Sequence, residues 1–282
     1  MASSARRKVA VVTGANKGIG FGIVRGLCKQ FHGDVLLTAR NEDRGRKAVE
    51  KLEKEGLHPK FHQLDITDHQ SVVRLAEFLR KNYSGLDVLV NNAAIAYEFN
   101  DVPTPPFPEE AMEVCHVNYF STLDVCQVLF PLLQPHARVC NVSSINNQIS
   151  LQQYSRAVQA KIKDPNITLD GVNALVRQFI QAAQANKHLE QGFDNSAYGM
   201  SKIAVTLMTS IQQKELDKKN ADDVVVNSCC PGVVVTDLWT GSGVSIDKGA
   251  KTPLYCALLP PNVKTPRGKF LINNKIYDWL NV

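Results

Sequence analysis

The sequence predicts a doubly wound α/β fold, a parallel sheet of about seven strands with helices on both faces. Three observations carry this. Short apolar runs rich in β-branched residues recur along the chain, amphipathic segments of helical length lie between them, and a glycine-rich turn joins the first run to the first such segment. Short continuous runs of this kind read as strands buried on both faces. Strands separated by helices imply crossover connections and therefore a parallel sheet. In order, strand 9–12 precedes helix 19–30, 35–38 precedes 44–55, 61–64 precedes 71–81, and 88–90 precedes 109–133. Residues 139–142, 224–227 and 270–272 supply the remaining strands.

One stretch breaks the alternation. Between Ser144 and Tyr198 no strand is readable, and 151–163 and 169–188 read as helices around Asp164-Pro165-Asn166. Leu175, Val176, Phe179, Ile180 and Ala183 recur at helical spacing, which argues against a bare surface loop. We read 146–194 as a helical insertion within one domain spanning 1–282.

Composition narrows the functional classes. Of 282 residues 44% are hydrophobic and 21% charged, which is globular and excludes a disordered or fibrous chain. The net charge of +5 is too mild, and too dispersed, for a nucleic-acid binder. No apolar run reaches the roughly 18 residues of a membrane span. Arg6, Arg7 and Lys8 precede a four-residue apolar run, shorter than the roughly 7–15 of a secretory signal core, and the ending Leu280-Asn281-Val282 is no peroxisomal signal. Seven cysteines show no C-x-x-C or zinc spacing, so reduced thiols, no metal and a cytoplasmic location are expected. The adjacent Cys229-Cys230 read as small core residues at a strand end, because neighbouring cysteines pair only under strain.

The turn Thr13-Gly14-Ala15-Asn16-Lys17-Gly18-Ile19-Gly20 carries the first chemistry. Glycines at the end of a strand let the backbone approach a pyrophosphate, and the following helix offers unpaired N–H groups to it. In such a fold the residue ending the second strand meets the adenosine ribose, where an acid selects NAD. Here Arg40 stands at that place. Its guanidinium, with Lys17 beside the glycines, suits a 2′-phosphate and points to NADP(H).

Further motifs lie in order behind this turn: Leu64-Asp65-Ile66 after the third strand, Asn91-Asn92-Ala93-Ala94 after the fourth, then Asn118, Ser144, Tyr198-Gly199-Met200-Ser201-Lys202, and Pro231-Gly232 with Thr236. With the glycine turn they resemble the classical short-chain dehydrogenase/reductases over nearly the whole chain. The long interval from Ser144 to Tyr198 is most similar to the monomeric NADPH-dependent carbonyl reductases. The resemblance implies a Rossmann-type sheet, a catalytic set of Asn118, Ser144, Tyr198 and Lys202, and cofactor contacts from Gly14, Asn16, Lys17, Gly18, Ile19, Gly20, Arg40, Asp65, Ile66, Asn92, Tyr198, Lys202, Pro231, Gly232, Val233 and Thr236. Ala94 departs from the family's usual glycine. Val233 stands where those carbonyl reductases carry tryptophan, so their substrate preference does not transfer.

Tyr198 and Lys202 are four apart and share one helix face, with Asn195 or Ser196 as the cap. An ammonium beside the phenol is expected to lower its pKa from about 10 toward working pH. Tyr198 can then protonate a carbonyl oxygen as hydride arrives from the nicotinamide. Ser144, rather than Ser143, would hold that oxygen, and Asn118 would anchor a water relaying protons to Lys202. Ile145, Val233, Leu238 and Trp239, with Ser144 and Tyr198, are candidates for the substrate pocket, Trp239 being equally compatible with the core. The expected activity is NADPH-dependent reduction of ketones, aldehydes or quinones by a monomer. A hydroxysteroid or prostaglandin dehydrogenase, and an NADP(H) sensor without turnover, are the alternatives.

Overall fold

A computed structural model of the chain describes residues 6–99, 104–237 and 239–282. The first five residues of the basic amino terminus and the pocket candidate Leu238 therefore lie outside the described residues. Eight strands form one sheet: β1 (Val9–Val12), β2 (Asp34–Ala39), β3 (Lys60–Gln63), β4 (Leu86–Asn91), β5 (Leu133–Val142), β6 (Val225–Cys230), β7 (Phe270–Ile272) and β8 (Lys275–Ile276). Their spatial order is β3-β2-β1-β4-β5-β6-β7-β8. Every neighbouring pair is parallel except β7 and β8. The order reverses between β1 and β4, and in sheets of this kind the crevice at that reversal, beyond the carboxyl ends of the strands, takes the ligand.

Strand alternation sorts the core. Val9, Val11, Leu36, Leu89 and Val139 face α3 (His69–Tyr83) and α5 (Thr122–Leu129). Ala10, Val12, Val35, Leu37 and Val88 face α1 (Gly18–Gln30) on the opposite side, where α11 (Lys251–Ala257) also packs. The remaining helices are α2 (Glu42–Glu53), α4 (Phe107–Cys115), α6 (Asn146–Gln153), α7 (Arg156–Lys163), α8 (Leu169–Gln184), α9 (Ala197–Lys218) and the short α10 (Ile246–Gly249).

All seven expected strands are present, and the departures have local causes. The single helix expected over 109–133 is interrupted by a π-helical turn, His116–Ser121, and ends in a 3₁₀ turn at Phe130–Leu132. Pro131 cannot donate to a continuing helix, and β5 begins at Leu133. The helix expected over 151–163 is two helices. Tyr154 is extended (ψ 151°) and the Ser155 side chain caps α7 by accepting from the Val158 N–H. β8 was not expected. Asn273 and Asn274 both have positive φ, 51° and 63°, the conformation of a type I′ hairpin turn, and so fold the chain back.

Residues 146–194 share their core with the rest of the chain. Leu151, Val158, Ile162, Val172 and Phe179 lie in one buried cluster with Val114 of α4 and Met200 and Ile203 of α9.

One buried ion pair anchors the opposite end of the sheet. Arg138 on β5, 3% exposed, bonds Asp223 Oδ2 at 2.8 Å and the Leu259 carbonyl at 3.0 Å. Burial alone would raise the Asp223 pKa, but the bonds from Arg138 and His136 outweigh it and hold the group at about 2. The carboxylate's stabilising contribution is thus complete above its unfolded pKa near 3.9 and lost as pH falls from there toward 2. Arg138→Ala is expected to cost about 3–5 kcal/mol at neutral pH. Urea unfolding at successive pH values should show the gap from wild type narrowing below pH 4.

Candidate active site

The glycine turn is shaped by contacts that leave no room for side chains. Gly14 has φ +61°, and a Cβ there would meet Ala93 Cα at 2.8 Å. A Cβ on Gly20 would meet Asn92 Nδ2 at 2.5 Å and the Gly14 carbonyl at 2.7 Å. Thr13 fastens the turn to β4. Its hydroxyl accepts the N–H groups of Asn92 and Ala93 at 2.9 and 3.0 Å, while the Asn92 amide donates to the Thr13 and Gly14 carbonyls at 3.0 and 3.2 Å. Lys17 opens α1 with no side-chain cap, and no acid occupies the first turn. The helix therefore presents its amide donors and positive dipole end to an anion.

Beside this turn is a cavity of ≈ 330 Å³ along the carboxyl edge of the sheet. It gathers most of the expected contacts. Gly14, Asn16, Lys17, Gly18 and Ile19 line it from the turn, Arg40 from beyond β2, and Asp65 and Ile66 from beyond β3. Asn92 reaches it from beyond β4, Tyr198 and Lys202 from α9, and Pro231 and Thr236 from the loop after β6. Gly20 lies buried behind the wall, and Gly232 and Val233 are exposed on the same loop without lining the cavity. Ser143, Glu113, Ile95 and Asp237 line it as well. Arg40 is exposed, and among the described residues its guanidinium makes no hydrogen bond or ion pair. Lys17, expected beside it as a second phosphate partner, is instead ion-paired to Asp237 at the mouth. That carboxylate comes from a loop far along the chain, which the spacing of the turn could not reveal.

At the other end of the cavity, α9 packs along β5 and β6, with its first turns at the carboxyl end of β5. Ser196 caps it, accepting from Gly199 N–H at 2.8 Å. The Lys202 ammonium donates to the Val142 carbonyl at 3.0 Å and lies 5.2 Å from the centre of the Tyr198 ring. Burial drives the Lys202 pKa down to about 8, against the raising influence of Cys230 and Cys229. The expected lowering of the Tyr198 pKa does not occur. Burial pushes the phenol well above its ordinary value, Cys230 adds to this, and the hydrogen bond with the Ser144 side chain only partly offsets it. Tyr198 is therefore a protonated phenol throughout the neutral range.

The two serines are separated by their contacts. Ser143 is turned into α9, donating to the Lys202 carbonyl at 3.1 Å and sharing a hydrogen bond with Thr206 Oγ1 at 2.8 Å. The Ser144 hydroxyl donates to Asn146 Oδ1 and accepts from the Asn146 N–H, both at 3.2 Å; it acts on the Tyr198 phenol, lowering its pKa, but Ser143, not Ser144, lines the cavity. Asn118 sits in the π-helical turn, a feature often found at functional sites. Its amide accepts from Ile95 N–H at 2.8 Å and donates to the Ile95 carbonyl at 2.9 Å and Ser201 Oγ at 3.0 Å. The side chain is thus occupied in joining the segment after β4 to α9. It makes no hydrogen bond with Lys202.

Of the substrate-side candidates, Ile145 packs against the edge of the core. Val233 and Trp239 are solvent-facing, which removes Trp239 from the core. Its indole donates to the Ser242 carbonyl at 2.9 Å. Phe99 stands edge-on to Tyr198, centroids 5.3 Å apart, and 6.2 Å from the Trp239 ring. Glu98 accepts from Tyr198 N–H at 3.0 Å and from Ser196 Oγ at 2.9 Å, so it caps α9 together with Ser196. Neither Glu98 nor Phe99 was expected. A contact across a hundred residues leaves no local pattern. Thr13, by contrast, stood in plain view between strand and glycines.

The model of the short chain dehydrogenase family matches residues 8–161 and 183–244, and the chain belongs to that family. The break in the match falls in the insertion. Carbonyl reductase (NADPH) 1 of Mus musculus is 46% identical over 278 residues, 98% of this chain and 100% of that one. Carbonyl reductase (NADPH) 3 of Rattus norvegicus is 46% identical over 274 residues, 96% of this chain and 98% of that one. Among solved structures, salutaridine reductase from Papaver somniferum superposes with a TM-score of 0.84 at 29% identity, covering 94% of this chain and 99% of that one.

Proposed function

We propose that the protein is an NADPH-dependent carbonyl reductase acting on ketones, aldehydes or quinones. The observation that carries this reading is a protonated Tyr198 phenol, beside Ser144 and flanked by Lys202, at one end of a cavity whose other end holds the Arg40 guanidinium. The names of the mammalian relatives support the same activity and cofactor.

The residues present suit a phosphorylated dinucleotide. The glycine turn leaves backbone space and uncapped amides for a pyrophosphate, Asp65 on the cavity wall would hold an adenine, and Arg40 would supply the charge for a 2′-phosphate. When bound, the reduced nicotinamide supplies hydride. Ser144 donates a hydrogen bond to the substrate oxygen and orients it. Tyr198 gives that oxygen its proton, and the high pKa of the phenol makes it a donor ready at neutral pH. Lys202 carries positive charge below about pH 8 and stabilises the tyrosinate left behind. Asn118, through Ile95 and Ser201, and Glu98, through the α9 cap, position this pair. Ile145, Val233, Trp239 and Phe99 form the apolar approach, suited to flat aromatic or quinone carbonyls.

No helix among the described residues is long and apolar enough to cross a membrane. All seven cysteines are unpaired, which supports placement in the reducing cytoplasm. We further read the protein as a monomer, because α6 and α8 cover α9, and α8 also covers α4, with Phe179 and Val172 fully buried between them.

Three outcomes are expected. Tyr198→Phe should lower turnover of a quinone by about 10²–10⁴-fold while NADPH affinity, read by fluorescence titration, stays within about twofold. In wild type, kcat/KM for reduction should hold below pH 8 and then fall ~tenfold per pH unit as Lys202 loses its proton; a flat profile to pH 10 would remove Lys202 from the proton chemistry. Arg40→Asp should lower the NADPH over NADH preference by about 10–100-fold, the worth of one charge-assisted bond. Sedimentation velocity checks the monomer.

A further inference from the structure

A cluster with no part in the proposed reaction lies on the other face of the sheet. Cys140 on β5, Cys229 on β6 and Cys256 on α11 show no ligand spacing in the sequence, yet the fold brings their three sulfur atoms within 4.8 Å of one another. The sulfurs of Cys140 and Cys229 are 3.5 Å apart. None of the three residues is more than 1% exposed. Their neighbours are Val88, Val90, Val142 and Leu271, all apolar.

Bonds from a thiolate to a soft metal centre are about 2.3 Å long, which sets three sulfurs around one centre ~3.4–4.0 Å apart, from pyramidal to planar. One pair already has that separation, and the third sulfur lies within 4.8 Å of both. Sulfur ligands select thiophilic centres, and charge selects among these. Each thiol loses its proton on ligation, so three thiolates bring three negative charges. Zinc(II) would leave a net charge of minus one, and copper(I) minus two. In an apolar surround such net charge costs several kcal/mol. The Lys202 ammonium acts on Cys229 from across the sheet, but the Val142 carbonyl holds it on the opposite face. A trivalent centre leaves no charge.

We propose that Cys140, Cys229 and Cys256 form a three-thiolate binding site for trivalent arsenic. Arsenous acid enters with three As–O bonds. These and three S–H bonds break, three As–S bonds form, and three waters leave. Arsenic stays trivalent, and nothing is oxidised or reduced. The neutral product ties β5, β6 and α11 together. The site is independent of the carbonyl reductase reading, and its test uses no activity.

Sodium arsenite is added to the full-length reduced protein. Native mass spectrometry should find one arsenic per chain, and arsenic-edge X-ray absorption three sulfurs at ~2.3 Å. The melting temperature should rise by about 5 °C at a hundredfold excess over the dissociation constant, since the ligand binds the folded state. Cys140→Val and Cys256→Val, apolar replacements in an apolar core, should each abolish the three-sulfur signature and the rise. Cys28→Ser, on α1 and away from the cluster, should leave both intact. Any of four results overturns the proposal: no binding to folded protein, two-sulfur coordination, undiminished binding in the two valine variants, or a fall in melting temperature, which would mean capture of the unfolded chain.

Discussion

The site depends on the way α9 is pinned along the face of β5 and β6. Polar groups buried under such a helix need partners. Here Asn141 donates to Thr209 at 2.9 Å, Ser143 to the Lys202 carbonyl, Asn118 to Ser201, and Lys202 to the Val142 carbonyl. Asn91 extends the chain sideways, bonding Asn141 at 2.8 Å. These bonds form where water does not compete, and losing one partner strands the other at about 1–3 kcal/mol. The rotation of α9 about its axis is thereby set, and with it the directions of Tyr198 and Lys202.

The same burial decides the electrostatics. An isolated view of two residues four apart gives the ammonium the leading part and lowers the phenol's pKa. In the folded protein both groups lose water, and desolvation penalises each one's charged form. The phenol is driven up and the ammonium down, to about 8. For reduction this is the useful direction, because the acid must hold its proton until an oxygen needs it. For the reverse reaction it is a handicap that only alkaline conditions would relieve.

What the sequence disclosed follows from the range of each interaction. Most strands were legible because burial on both faces demands apolar, β-branched runs; the half-exposed edge strand β3 has no β-branched residue and was legible from its place between two helices. The glycine turn and the Tyr198/Lys202 pair were legible because a sharp turn and one helical repeat are local. Helix interruptions were less so. The π-helical turn at His116–Ser121 leaves no compositional mark, and the break at Tyr154 became visible only through the Ser155 cap. The pairing of Lys17 with Asp237, the capping of α9 by Glu98 and the edge-on contact of Phe99 with Tyr198 all join distant segments. Only the sheet order determines which loops meet, and that order is not written in any one of them.

The pair Cys229-Cys230 condenses this point. Successive residues of a strand face opposite sides of a sheet. Cys230 therefore joins the cluster containing α9, where it raises the Tyr198 pKa and opposes the fall of the Lys202 pKa. Cys229 joins the cluster beneath α1 and α11, with Cys140 and Cys256. As letters the two are indistinguishable, and no spacing rule would assign them different chemistry. One peptide unit and the pleat of β6 place one thiol near the Tyr198 phenol and the other in an apolar core among sulfurs. The pleat thus divides two adjacent thiols between the two faces, although Cys229 still acts on the Lys202 ammonium across the sheet.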